Sequence, residues 1–186
     1  MPDDYPSRVP DERQEGIAEP DGFGRLWTPH RMAYIDAGTS GERAAAGCPF
    51  DRIPTLPDAE GLVVARGETC YVVLNLFPYN PGHLMVVPFR HVADYTELSA
   101  VERVELGELT ATALDVLRGV SAPAGFNVGL NLGATAGAGV AEHLHQHVVP
   151  RWAGDTNFMP VVGHTRVLPQ LLADTRQRLA DAWPPG

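Results

Sequence analysis

The sequence predicts an α+β domain: a mostly antiparallel sheet of at least five strands, covered by helices. Three observations carry this. Short β-branched runs follow one another too closely for repeated βαβ units. One long amphipathic segment occupies the middle of the chain, and a second apolar stripe closes it. With 186 residues, 44% of them hydrophobic, the chain is long enough for one ordinary core.

The elements follow in order. Residues 1–22 mix Pro, Asp, Glu and Arg without apolar periodicity, which predicts a mobile acidic tail and leaves 23–186 as the folded domain. Thr28 and Pro29 suit an N-cap and a first helical position, so a short helix is expected through Met32, Ala33 and Ile35. The small, Gly-rich stretch 37–47 reads as a loop. Strands are expected at 62–66, 69–76 and 83–89. Pro78, Asn80, Pro81 and Gly82 form the turn between the last two. Ser99 and Glu102 fit a capping box. Behind them Leu106, Leu109, Ala113, Val116, Leu117 and Val120 lie on one helical stripe, which ends near Gly119 and Pro123. Residues 126–132 and 142–149 read as strands joined by the Gly/Ala-rich loop 133–139. The last helix is expected to carry Leu168, Leu171, Leu172, Thr175 and Leu179.

Charge and composition narrow the function. A net charge of −9 disfavours nucleic-acid polymers, which need a basic surface. A small phosphorylated ligand needs only a local anion site. No apolar run reaches the ~18 residues of a membrane span. The first sixteen residues contain no apolar core of a secretory signal. The two cysteines, Cys48 and Cys70, make no disulfide framework, and Cys70 sits in an apolar run as a buried thiol. Together these features predict a cytoplasmic protein.

The chemistry is concentrated in His143-Leu144-His145-Gln146-His147-Val148-Val149. On a strand, side chains alternate, so the three histidines share one face, roughly 6.6–6.8 Å apart in succession. Three imidazoles in a row are costly to bury without partners. Two functional readings follow. His-x-His on a strand can chelate a transition metal. A cupin-like version would add a carboxylate a few residues downstream, and here the nearest is Asp155. Alternatively, a neutral imidazole can attack phosphorus and form a covalent intermediate, with its neighbours fixing its tautomer and handling the leaving group.

The same stretch resembles the signature of the histidine-triad (HIT) family. Pro81-Gly82-His83-Leu84-Met85-Val86-Val87-Pro88 resembles the family's strand after the nucleotide-binding turn, and Asn131-Leu132-Gly133 its phosphate-side strand end. Three further stretches are similar to a bacterial subgroup near diadenosine tetraphosphate phosphorylases: Leu26-Trp27-Thr28-Pro29, Gly137-Ala138-Gly139-Val140, and Pro150-Arg151-Trp152 with Gly154-Asp155-Thr156-Asn157-Phe158-Met159. The resemblance spans residues 25–182.

It implies a HIT-like fold and nucleotidyl transfer from dinucleoside polyphosphates. His145 would be the nucleophile, with His143 orienting it. His147 would bind or protonate the leaving phosphate. Asn75 would hold ribose hydroxyls, and Asn131, Gly137 and Gly139 would lie beside the phosphate. Inorganic phosphate as second acceptor makes a phosphorylase, and water a hydrolase. A nucleotide-binding regulator with little turnover and a metal-dependent hydrolase are the readings from other classes. The covalent route requires no cofactor. The resemblance also implies a structural zinc set of Cys48, Asp51, His91 and His143, with Asp51 standing where the family pattern has a second cysteine. A homodimer or higher homo-oligomer is implied too, with Trp27, Trp152 and Trp183 at a subunit contact.

The chain also departs from the family just before the triad. A Ser or Thr often precedes the triad, whereas Gly139-Val140-Ala141-Glu142 stands here. By alternation Glu142 faces away from the triad. His83 reads as a structural member of its turn, and Arg90 and Arg151 as salt-bridge partners.

Overall fold

The computed structural model describes residues 47–155 and 170–185. The expected acidic tail, the helix after Thr28, most of the 37–47 loop, and Leu168 lie outside the described residues. Within them run α1 (Pro49–Arg52), α2 (Asp58–Gly61), β1 (Val63–Arg66), β2 (Cys70–Leu74), β3 (Leu84–Pro88), α3 (Ala100–Ser121), β4 (Gly125–Leu130), β5 (Gln146–Arg151) and α4 (Leu172–Asp181). The strands form one antiparallel sheet in the order β1-β2-β3-β5-β4. This is the α+β class that the sequence predicts.

Helix α3 covers one face. Ser99 Oγ accepts from the Glu102 amide and the Glu102 carboxylate accepts from the Ser99 amide, so the capping box is closed from both sides. Glu102 is also gripped by Arg90 through Nε at 2.9 Å and Nη2 at 2.8 Å. The Arg90 hydrogen bond pulls this buried carboxyl down to about 2. Leu106, Ala113, Val116 and Leu117 are buried from the stripe, while Leu109 and Val120 pack at its margin. They meet Val72, Leu74, Leu84, Val86, Leu144 and Val148 of the sheet and Leu179 of α4.

The other face carries a smaller core of Val63, Tyr71, Val73, Met85, Val87 and Phe50. Both faces of β2 and β3 are therefore covered, which is why these strands read as unbroken apolar runs. Tyr71 Oη donates to the Phe50 carbonyl at 2.9 Å and ties α1 to the sheet.

Strands β1 to β4 end within two residues of expectation, and two elements start later than expected by more than that. The last strand begins at Gln146, so only His147 of the triad lies on it, and His143 and His145 occupy its lead-in. The β3–β5 ladder ends at Val86–Gln146 because Pro88, further along, has no N–H to extend it. The Leu144 amide turns instead to the Val92 carbonyl at 2.7 Å. Alternation nonetheless persists through the lead-in. Leu144 and Val148 enter the helix-side core, and Gln146 Nε2 donates to Thr110 Oγ1 of α3 at 2.7 Å. Helix α4 begins only at Leu172, and Leu171 is its exposed N-cap rather than part of the apolar stripe.

Candidate active site

Each triad imidazole has one nitrogen fixed by a partner, and the partners set the tautomers. His145 Nδ1 lies 2.8 Å from the His143 carbonyl. A carbonyl only accepts, so Nδ1 carries the hydrogen and Nε2 keeps the lone pair. His143 Nε2 lies 2.9 Å from the Pro88 carbonyl, so its lone pair is on Nδ1. The third case needs one more residue. His83 Nδ1 accepts the Tyr79 amide at 3.1 Å, with Asn75 Nδ2 at 3.4 Å on the same atom. The His83 hydrogen is then on Nε2, which donates to His147 Nδ1 at 2.9 Å. His147 is left with an Nε2–H donor.

The rings form one continuous wall. His145 and His147 stand edge to face with centroids 5.0 Å apart. Phe50 lies against His145 at 4.9 Å and meets His143 edge-on at 5.5 Å. Tyr79 stacks on His147 at 5.9 Å. His143 and His83 are fully buried and His145 nearly so. Burial is the main reason that all three triad histidines titrate below the ordinary imidazole range, His147 at about 4. At neutral pH the site holds neutral imidazoles: a lone pair on His145 Nε2 beside a hydrogen on His147 Nε2. A nucleophile set beside a hydrogen-bond donor suits displacement at phosphorus.

The other sequence-predicted residues fall around this wall. Asn75 shapes the turn, its Oδ1 accepting from the Phe77 amide at 2.9 Å and its Nδ2 facing His83. Asn131 follows Leu130, the residue paired with Gln146, and so stands at the strand end beside the triad's lead-in. Gly133 and Gly137 take left-handed backbone angles (φ 80° and 90°) on either side of a 3-10 turn at Ala134–Ala136. The amides of Gly137 and Ala138 donate to the carbonyls of Ala134 and Gly133, so these two N–H groups are committed to the loop itself. Beyond Gly139, Val140 packs onto the Phe50 cluster and brings the loop's end to the triad side of the sheet.

Cys48, Asp51, His91 and His143, the set that the family resemblance implies, come together with ligand atoms all within 4.8 Å of one another. Asp51 bridges the histidines, its oxygens 2.8 Å from His91 Nδ1 and 3.2 Å from His143 Nδ1. Cys48 Sγ is 3.4 Å from the same His143 nitrogen. A thiol and a carboxylate thus both face a nitrogen whose tautomer makes it an acceptor. That donor set fits a tetrahedral divalent cation, and the Pro88 bond on the far nitrogen is the usual support for a ligating histidine.

Three members of the site went unread as such in the sequence. His83 lies in a turn, where there is no periodicity to expose a buried face. Phe50 and Tyr79 are single aromatics among prolines. The one signal is position: His83 immediately precedes β3, which pairs with β5 at Met85–His147. Trp152 and Trp183 are used within the chain, Trp152 Nε1 donating to the Ser121 carbonyl and Trp183 packing on the helix-side core. Trp27 lies outside the described residues. A groove lined by Gly82, Leu117, Trp152, Thr175 and Arg178 includes none of the histidines, so concavity alone does not locate this site.

Comparison with known proteins gives a family match. A family model described as the HIT domain matches residues 57–154. In two strains of Mycobacterium tuberculosis, a protein named AP-4-A phosphorylase is 53% identical over 175 residues, covering 90% of this chain and 88% of that one. A Schizosaccharomyces pombe protein named bis(5'-nucleosyl)-tetraphosphatase (asymmetrical) is 33% identical over 93 residues, half of each chain. Among solved structures, a Zn-bound histidine triad family protein from Mycobacterium smegmatis superposes with a TM-score of 0.60 at 24% identity, covering 74% of this chain and 94% of that one. A hypothetical histidine triad nucleotide-binding protein from Sulfolobus tokodaii also gives 0.60 at 24% identity, over 73% of this chain and 91% of its own.

Proposed function

This chain belongs to the HIT domain family, and from that premise we propose that it is an enzyme cleaving dinucleoside polyphosphates, diadenosine tetraphosphate foremost, by phosphorolysis through a nucleotidyl-His145 intermediate. The observation that carries the mechanism is the bond from His145 Nδ1 to the His143 carbonyl, which keeps a lone pair on Nε2.

In the first step Nε2 attacks the phosphorus that carries one adenosine. A P–N bond forms, the bridging P–O bond breaks, and ATP leaves with the electron pair. His147 Nε2–H donates to the leaving oxygen. Because His147 titrates at about 4, it is neutral at pH 7 and supplies a hydrogen bond rather than a whole proton. A departing phosphate is already a stable anion and needs no more than that. In the second step an oxygen of inorganic phosphate attacks the same phosphorus. The P–N bond breaks, its electron pair returns to Nε2, and ADP is released. Asn75 is assigned to the ribose, and Asn131, Gly137 and Gly139 to the phosphate side, Gly137 as part of the loop's close-approaching backbone since its own N–H is spent on Ala134. Phosphate is preferred to water as acceptor because the relative named a phosphorylase matches along nearly the whole chain, whereas the tetraphosphatase matches half of it.

Incubation with diadenosine tetraphosphate, with and without inorganic phosphate, tests the acceptor. ADP plus ATP formed only with phosphate is the expected result. AMP plus ATP formed without it would make the enzyme a hydrolase.

Zinc is assigned to Cys48, Asp51, His91 and His143 as a structural ion. When bound it would hold α1, and with it Phe50, against the triad, and no step of the transfer runs through it. Chelation should release one zinc per chain and lower Tm by about 10 °C, if the ion contributes about 4 kcal/mol. Metal found at all three triad histidines, with activity lost on chelation and restored by metal, would instead favour the metal-dependent hydrolase. A homodimer is inferred from β4, a sheet-edge strand with Val128 exposed and the exposed Leu132 just beyond it. A cytoplasmic location is inferred from two cysteines that form no disulfide with each other.

A further inference from the structure

The turn that supports His83 is tied to the far end of β5 through one carboxylate. Asp155 Oδ2 accepts from Asn80 Nδ2 at 2.7 Å, from Arg151 Nε at 2.5 Å and from the Trp152 amide at 3.2 Å. Its Oδ1 accepts from Arg151 Nη2 at 2.8 Å, completing a forked pair. The other hydrogen of Asn80 Nδ2 goes to the Pro150 carbonyl at 2.9 Å, and the Asn80 carbonyl accepts the His83 amide at 3.1 Å. Asn80 therefore spends both amide hydrogens on β5 and its following residues, and its carbonyl on His83. Arg151 is anchored in turn by Asn127 of β4 at 2.7 Å.

This clamp lies on the route that sets the tautomer of His147. The Tyr79 amide reaches His83 Nδ1 only while the turn holds its shape, since Tyr79 and His83 flank Asn80 on its two sides. Asn75 Nδ2 meets the same nitrogen and is held to the same turn through the Phe77 amide, so a turn that opens weakens both donors and lets the hydrogen of the His83–His147 pair redistribute. A His147 with its hydrogen on Nδ1 would present a lone pair, not a donor, to the departing oxygen.

We propose that Asn80 and Asp155 are positioning residues for the transfer reaction, holding the turn so that His83 keeps His147 as an Nε2–H donor. The catalytic consequence rests on the covalent reading above, whereas the tautomer does not.

Asn80→Ala and Asp155→Ala, singly and together, test this by two readouts. Nitrogen-15 NMR of the imidazoles should show His147 as a single Nε2–H tautomer in the parent and as a mixture in each variant. The kcat for diadenosine tetraphosphate should fall about tenfold, a fraction of what a full acid–base group contributes, with KM nearly unchanged. Because the two residues share the Asn80–Asp155 contact while each keeps bonds of its own, the loss in the double variant should fall short of the product of the two single losses. Asn80→Ser keeps a turn-forming residue and gives the same reading if the alanine variant does not fold. An unchanged His147 tautomer in these variants, or losses that simply add, would overturn the proposal. Trapping of the adenylylated enzyme separates the two ideas: a parent protein that forms no adduct on His145 sinks the covalent reading, while NMR still decides the clamp.

Discussion

Replacing His145 with alanine should lower kcat on diadenosine tetraphosphate by at least about ten-thousand-fold and leave the fold intact. The size follows from what is removed. Without the Nε2 lone pair no P–N bond can form, and the two-step displacement reverts to direct attack by a much weaker nucleophile. No ladder bond of the sheet is lost, because His145 precedes β5. His147→Asn should be milder, on the order of a hundredfold, because the amide keeps an N–H near the departing oxygen and the nucleophile remains. The ordering of the two variants is informative. If the histidines were metal ligands, removing either would displace the ion and the losses would be similar. Steady-state kinetics with product analysis on both variants decides this, and a His145→Ala protein retaining a tenth of the parent rate would sink the covalent mechanism.

How much of this was legible in the sequence depends on whether a residue's role is local. The capping box at Ser99 and Glu102 is local, and it stands where its spacing placed it. The apolar runs of β2 and β3 and the stripe of α3 are local too. The start of β5 is not. It is set by Pro88, 58 residues before Gln146, which cannot continue a ladder that the sequence of the triad alone would allow. The same distance problem hides His83 and Phe50. His83 matters because β3 and β5 are neighbours, a fact of topology that no window of the sequence contains. The cation cluster joins Cys48 to His143 across 95 positions, and only the family pattern linked them. For Asn75 the structure adds a second use: a residue expected to meet ribose also closes the turn that supports His83.

Phe50→Ala should be the most destabilising single change in the site. The ring is 5% exposed and sits in the smaller core with Val63, Tyr71, Val73, Met85 and Val87. Truncation there leaves a cavity and should cost about 3 kcal/mol or more, lowering Tm by roughly 10 °C. Phe50 is also the group that packs on the nucleophile, with its centroid 4.9 Å from that of His145. Its backbone is held by Tyr71, so α1 is expected to remain attached while the His145 ring loses its wall. The variant should therefore lose kcat beyond what partial unfolding explains, measured well below its own Tm. Phe50→Leu separates the two effects. Leucine refills much of the cavity and should recover most of the Tm, but it offers no flat face to the imidazole, so kcat should recover less. Calorimetry beside kinetics on both variants gives the comparison. If kcat and Tm recovered in step, Phe50 would be a core residue that happens to touch His145. Recovery of Tm alone would make its ring part of what holds the nucleophile in line.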